Sequence, residues 1–334
     1  MKKNLLVTLS DKNYINQAKQ LFSSVYFNAG WEGDYMLLAY QIPESDLKWF
    51  RDKGIIVRDC PPFLDYNKIL IKYPEVLFCK LYLFTQEFKA WDQVIFLDAD
   101  IIVKASLAEL TKIKGLAGTR VRKRLRQLFL SPVHLYFLNQ SREILKQLAA
   151  EYDLDLPAFN TGMFVFSTSI IQPNSFSKLK EAAEKYGRIT GSGEESIINL
   201  LFQKTWIGLS PLYNFGYYYD NFVSRLFKRD FKAVTLHFTR KPWHKKSPFY
   251  DEWNENLKKA EQIDLNKIVP AIKLTPQVVE EYSAYFKKLR RKFFYQDWLR
   301  SIYLGVDKGF GFAGLFLKNN FPSIYKILKK IVKK

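Results

Sequence analysis

Sulfur and imidazole are scarce in this sequence: 334 residues hold two cysteines, Cys60 and Cys79, three methionines and three histidines. Two cysteines make neither a disulfide framework nor a cysteine-based zinc cluster, and their scarcity suits a reducing compartment. Long apolar runs are missing too. No window approaches the roughly 18 to 20 uninterrupted apolar residues of a membrane-spanning helix. The apolar start of MKKNLLVTLS breaks after a few residues, so it reads as a buried first strand and not as a secretion signal. No glycine-rich phosphate loop follows that strand, and neither an internal repeat nor a low-complexity stretch interrupts the chain.

What is abundant is apolar or positive. A hydrophobic content of 48% supplies a large core and excludes a disordered or fibrous chain. Fifty-two Lys and Arg against thirty-three Asp and Glu leave a net charge of +19, which points toward nucleic acid, nucleotide phosphates or an anionic membrane without choosing among them. The excess is uneven. Residues 287–334 carry thirteen basic and two acidic side chains, interleaved with Phe293, Trp298 and Ile302. Such a tail is expected to seat its aromatics at a lipid interface while lysines meet anionic headgroups. Arg120–Arg126 (RVRKRLR) carries five positive charges in seven positions, either as a contact for an acidic or lipid-phosphate acceptor or as a solvated loop.

The first hundred residues alternate two periods. Asn4–Leu9 is a continuous apolar run; Asp11 then stands where a helix cap is wanted, and Ile15, Ala18, Phe22 and Val25 follow at helical spacing up to Gly30. Further runs at Tyr35–Tyr40, Ile55–Val57 and Val94–Leu97 alternate with helical stretches from Glu44 to Gly54 and from Val76 to Phe88. This alternation predicts an α/β fold with a mostly parallel sheet, whose ligands bind at the carboxyl ends of the strands. Later, Phe159–Phe166 reads as a turn feeding a strand, Ser177–Tyr186 and Glu194–Phe202 as helices, and Ala233–Phe238 as a strand.

One such strand end carries chemistry. In IFLDADIIV a buried run stops at Asp98 and Asp100, and alternation along an extended backbone sets both carboxylates on one side, as a hard divalent cation requires. Asp153 and Asp155 repeat the spacing but follow a polar stretch, and we read them as an exposed loop. His237 ends a strand four residues before Lys241. Imidazole with carboxylates and water suits manganese, whereas an all-oxygen set favours magnesium or calcium, and a lysine in that loop offers a point charge to a phosphate.

VTLS, FLDAD, FNTG, EESIIN and HFTRKPW occur in this order and at spacings that resemble the family 8 glycosyltransferases, over roughly residues 4–245. The resemblance implies a GT-A (Rossmann-like) fold, a UDP-sugar donor and Mn²⁺, or Mg²⁺ in its place. It implies Asp98, Asp100 and His237 as metal ligands, with Leu9, Ser10, Asp11, Tyr14, Lys80, Asp98, Ala99 and Lys241 around the donor and Tyr14 stacked on the base. Asn160 would bond the transferred sugar. Glu194 and Glu195 stand where the family usually has an Asp-Gln pair, so Glu195 takes the position nearest the anomeric carbon. HFTRKPW also lacks the glycine usual after the histidine, a loss for which Arg240 is placed to compensate. The basic, aromatic end resembles that of lipopolysaccharide galactosyltransferases.

The resulting expectation is a retaining hexosyltransferase acting on a hydroxyl of a surface glycan, lipid-linked in kind, from the cytoplasmic, inner face of the plasma membrane. It divides the chain into a catalytic domain 1–246, a helical connector 247–286 and a basic tail 287–334. A metal-dependent nucleotidyltransferase and a nucleic-acid-binding protein are the rivals; the missing phosphate loop opposes the first, and concentration of charge in a tail opposes the second, so no nucleic acid is expected as partner.

Overall fold

The structure, a computed structural model, describes residues 3–65, 73–129, 139–216, 233–238, 241–277, 279, 280 and 284. The chain forms two compact units, Met1–Leu274 and Thr275–Lys334. In the second, residues 276, 277, 279, 280 and 284 are helical, and Val279 N–H donates to the Thr275 carbonyl. Arg240 and the tail residues Phe293, Trp298 and Ile302 lie outside the described residues.

In the first unit β1 (Asn4–Ser10), β2 (Asp34–Ala39), β3 (Ile56–Asp59) and β4 (Gln93–Leu97) lie side by side, and β7 (Pro157–Ser167), β6 (Leu116–Arg124) and β8 (Ile207–Leu209) extend the sheet. The order is β3-β2-β1-β4-β7-β6-β8, and β7 alone of these strands runs against the others. Strands covered on both faces need apolar side chains at every position, which is why Leu5–Val7 and Val94–Leu97 are continuous runs and fully buried. A small second sheet sets β5 (Ile101–Val103) antiparallel to β10 (Thr235–His237), with β9 (Phe215–Gly216) parallel on the other side of β10.

Helices α1 (Ile15–Ala29), α2 (Glu44–Asp52), α3 (Leu125–Phe129), α4 (Asn139–Glu151), α5 (Ser175–Tyr186), α6 (Glu194–Phe202) and α7 (Tyr250–Lys259) connect and flank the strands. Gly30 stops α1 with a left-handed φ of 56°, and a Cβ there would lie 2.7 Å from the Cβ of Ala271.

Several local expectations change. Asp11 caps no helix: its Oδ1 accepts from the Asn13 N–H at 2.8 Å in a turn, and Tyr14 holds the flanking position of α1. Val76–Phe88 is not one helix but two 3₁₀ segments, Glu75–Phe84 and Gln86–Ala90, separated by an extended Thr85. Phe78–Phe84 are all buried, which leaves no polar face to shape an amphipathic α-helix. Phe159–Gly162 is no turn before a strand; it lies within β7, where pairing jumps from Gly118↔Phe164 to Thr119↔Asn160 and three residues bulge out. Arg120–Arg126 is not a loop: it runs from the end of β6 into α3. Helix α7, in the stretch expected to begin a connector after residue 246, packs within the first unit: Trp253 is buried with its ring against those of Trp243 and Phe238.

Candidate active site

The site is built where the large sheet hands the chain to the small one. Asp98 follows β4, its N–H donates to the Gly162 carbonyl at 2.7 Å, and its own carbonyl accepts from Ile101 N–H at 3.1 Å. A turn, and not strand alternation, therefore presents Asp98 and Asp100 together. β10 then returns antiparallel to β5 with His237 opposite Ile101, which carries an imidazole from far along the chain to that turn. Ligand atoms of Asp98, Asp100 and His237 all lie within 4.8 Å of one another. His237 Nε2 stands 3.4 Å from Asp100 Oδ1 and 3.9 Å from Asp98 Oδ2.

Two carboxylates and an imidazole form a donor set for a divalent cation. Gly162 keeps room beside it: a Cβ there would come 2.2 Å from His237 Cε1 and 2.8 Å from Asp98 Oδ2. Residues and space thus fit a metal ion. Burial pulls the His237 imidazole down, but the Asp100 and Asp98 carboxylates outweigh it and hold the ring above its ordinary value.

Behind the turn lies a buried ammonium. Lys80 Nζ is 2.9 Å from Asp98 Oδ1, 2.7 Å from Glu194 Oε1 and 3.4 Å from the Thr161 carbonyl, which engages its three protons. Burial opposes its charge, and the two carboxylates more than restore it. Lys80 is 2% exposed, so it reaches the site through the acids it holds. Burial pushes the Glu194 carboxyl up while Lys80 opposes that shift.

Glu195, the next residue, is held by neutral donors. Its Oε2 accepts from Asn160 Nδ2 at 2.7 Å and from Thr161 N–H at 3.2 Å. Burial, followed by the neighbouring Glu194 charge, pushes its carboxyl up to about 7, against the pull of these donors. Asn199, one turn further along α6, clasps the strand at both groups of Phe159: Oδ1 accepts from its N–H at 2.9 Å and Nδ2 donates to its carbonyl at 2.9 Å.

At the carboxyl end of β1, Leu9 and Ser10 are buried, and the Ser10 hydroxyl donates to the Asp11 carbonyl at 2.7 Å. Tyr14 is 41% exposed with its ring edge-on to Trp243 at 5.9 Å. Burial raises its hydroxyl, and Asp100, Asp11 and Asp98 add to the shift, which brings Tyr14 into the field of the metal-type carboxylates. Ala99 is buried between the two aspartates, and Lys241 is exposed after β10. Contacts thus join Lys80, Asp98, Asp100, Asn160, Glu194, Glu195 and His237 into one cluster; Tyr14 stands at its rim, and among the described residues no hydrogen bond or ion pair joins Leu9, Ser10, Asp11, Ala99 or Lys241 to it. Asp153 and Asp155 are exposed and outside it, with Asp155 3.8 Å from Arg124 and 3.7 Å from Arg126.

Sequence reasoning passed over Asn214. Its Oδ1 meets His237 Nδ1 at 2.8 Å and its Nδ2 donates to Asn160 Oδ1 at 2.8 Å. No periodicity marks it; Asn214 follows a short 3₁₀ turn, Pro211–Tyr213, and only closure of the small sheet brings it to the site.

The sequence pattern of glycosyl transferase family 8 matches residues 5–247. Two glycosyltransferases of Streptococcus pneumoniae serotype 4 (strain TIGR4) are similar: GlyD, 26% identical over 71% of this chain and 28% of its own length, and GlyF, 24% identical over 64% of this chain and 49% of its own. The chain spans less than half of either relative. Among solved structures, the galactosyltransferase LgtC in complex with donor and acceptor sugar analogs superposes with a TM-score of 0.52 at 15% identity, over 76% of this chain and 95% of LgtC. GlyE of S. pneumoniae TIGR4 does so with a TM-score of 0.53 at 22% identity, over 82% of this chain and 66% of that one. An active-site glutamine-to-glutamate mutant of LgtC gives 0.54 at 16% identity, over 76% of this chain and 95% of that one. The fold is GT-A, with the mostly parallel sheet expected.

Proposed function

Because this chain belongs to glycosyl transferase family 8, we propose that it moves a hexose, glucose or galactose, from a UDP-sugar to a hydroxyl of a surface-glycan acceptor, with retention of configuration. The observation that carries this reading is the convergence of Asp98, Asp100 and His237 beside the space that Gly162 leaves open, next to the acids of α6. Asp98, Asp100 and His237 would hold Mn²⁺, or Mg²⁺ in its place. Such an ion, when bound, supplies positive charge for the departing diphosphate.

The chain's own groups do the rest in this account. Lys241 offers a point charge to the diphosphate. Tyr14, backed by Trp243, offers a ring face to uracil, with Leu9, Ser10, Asp11 and Ala99 around the nucleotide. Asn160 bonds a sugar hydroxyl. Lys80 holds Asp98 and Glu194 in place. Glu195 serves the anomeric carbon, either as a nucleophile in a double displacement or as a negative neighbour of the cationic sugar while acceptor attacks from the leaving-group side. Full transfer activity in Glu195→Gln would remove the nucleophile version.

The lipid-linked acceptor and the inner membrane face belong to the same proposal, supported by the basic, aromatic composition of residues 287–334. Among the described residues no helix is long and apolar enough to cross a membrane. Deleting residues 287–334 is expected to release the protein from membrane fractions while donor hydrolysis persists; unchanged fractionation contradicts the anchoring.

A donor screen tests the main reading: slow hydrolysis of one UDP-hexose with Mn²⁺ is expected, falling by about a hundredfold or more in Asp100→Ala. No turnover of any UDP-sugar, or equal turnover in the variant, contradicts it.

A further inference from the structure

We infer that Asn214 is a positioning residue that links the imidazole of His237 to the carboxylate of Glu195 and decides which nitrogen of His237 carries the proton. This inference rests on the metal and acid roles proposed above. It starts from one group of known polarity. Gly162 N–H is a main-chain donor, and it points at Asn160 Oδ1 at 3.1 Å, so the atom of Asn160 on that side is its oxygen. The other side of that amide is then an NH₂, which faces Glu195 Oε2 at 2.7 Å.

The same Asn160 oxygen receives the Asn214 amide at 2.8 Å, so Asn214 must present its nitrogen there. Its oxygen is left facing His237 Nδ1 at 2.8 Å. An amide oxygen only accepts, so Nδ1 bears the hydrogen. In the neutral ring Nε2 is then a lone pair, aimed at the Asp98 and Asp100 carboxylates 3.9 and 3.4 Å away. Asn214 is 7% exposed, so water competes little for these bonds. Each amide has one orientation that satisfies both neighbours, and a change at Asn214 acts in two directions: on the tautomer at His237 and on the donor offered to Glu195.

Two variants separate these directions. Asn214→Ala removes both bonds. Asn214→Asp keeps an acceptor for Nδ1–H but has no hydrogen for Asn160, whose oxygen then faces a carboxylate and keeps only the Gly162 N–H, so the amide that donates to Glu195 is loosened. Long-range ¹H–¹⁵N spectra of the full chain labelled on its three histidines, recorded above their titration, read the tautomer of His237. Electron paramagnetic resonance of free Mn²⁺ reads metal affinity without any sugar.

The expected result is an Nδ1–H tautomer in the wild type and in Asn214→Asp, and an Nε2–H population in Asn214→Ala with Mn²⁺ affinity lower by about ten- to a hundredfold. Asn214→Asp is expected to bind Mn²⁺ as the wild type does, yet to hydrolyse UDP-sugar with a lower kcat at unchanged KM. An Nε2–H tautomer in the wild type overturns the inference, as does an unchanged tautomer in Asn214→Ala or a wild-type kcat in Asn214→Asp. If Asn214→Ala does not fold, the wild-type tautomer and the Asn214→Asp kcat decide. Should the wild type turn over no UDP-sugar, the proposed function fails, while the tautomer and Mn²⁺ readings still decide the role of Asn214.

Discussion

Glu194 and Glu195 leave the same turn of α6 and meet opposite treatment. Glu194 is buried against the Lys80 ammonium, which also grips Asp98. Among the described residues, the donors to the Glu195 carboxylate are the Asn160 amide and the Thr161 N–H. A full positive charge opposes the upward push of burial on Glu194 and makes that acid part of the frame. Dipoles orient Glu195 without cancelling its charge, and burial, followed by the neighbouring Glu194 charge, pushes its carboxyl up to about 7 against their pull. The Lys80 side of the cleft thus holds things still, while the Asn160 side keeps one acid responsive.

The sharpest way to break this contrast is Lys80→Met. It leaves Asp98 and Glu194 without their shared cation, and the expected loss is about 3–5 kcal/mol, the usual cost of stranding buried charge. Thermal unfolding should show a fall on the order of 10 °C in Tm; a midpoint within a degree or two of wild type would mean that the ion cluster contributes little.

Glu195→Gln tests the other side, with the opposite sign. The folded protein keeps a proton on Glu195 between the ordinary value of 4.5 and about 7, where the unfolded chain has released it. Stability contributed by this residue therefore falls as pH rises through that window and stays low above it. The variant has no charge to bury, so it should be more stable than wild type by up to about 3 kcal/mol at pH 8 and equal to it near pH 4. Denaturant unfolding at both pH values checks this. In transfer assays the wild type should lose rate as pH falls below about 7, and this limb should be missing from whatever activity the variant retains.

A smaller effect sharpens the comparison. Asn199→Ala leaves the N–H and carbonyl of Phe159 without their clasp, at an expected cost of about 1–3 kcal/mol. Because that clasp ties β7 to α6, activity should drop together with stability; a large loss of activity at unchanged stability would instead give Asn199 a direct chemical role.

Much of the architecture was legible because buried parallel strands leave uninterrupted apolar runs, as at Leu5–Val7 and Val94–Leu97. Asp98, Asp100 and His237 were legible for the same reason, since each stands out at the end of such a run. Lys80 was placed at the site, but in KLYLF nothing shows that its protons turn inward to acids and not outward to a ligand. Asp11 misled because an aspartate that closes a turn and one that caps a helix look alike in sequence. The bulge at Thr161–Met163 and the partnership with Asn214 depend on how the strands close on one another, which no local pattern records. Composition gave no sign that Trp253 of α7 is buried within the first unit.

The central claim is that Asp98, Asp100 and His237 grip one divalent cation. Titration of Mn²⁺ into the purified protein, followed by the resonance of the free ion, tests it without reliance on any acceptor. One ion per chain should be taken up, UDP should tighten it, and Asp98→Ala, Asp100→Ala and His237→Ala should each weaken it by about tenfold or more. Uptake that is the same in all four proteins, or insensitive to UDP, would contradict the account.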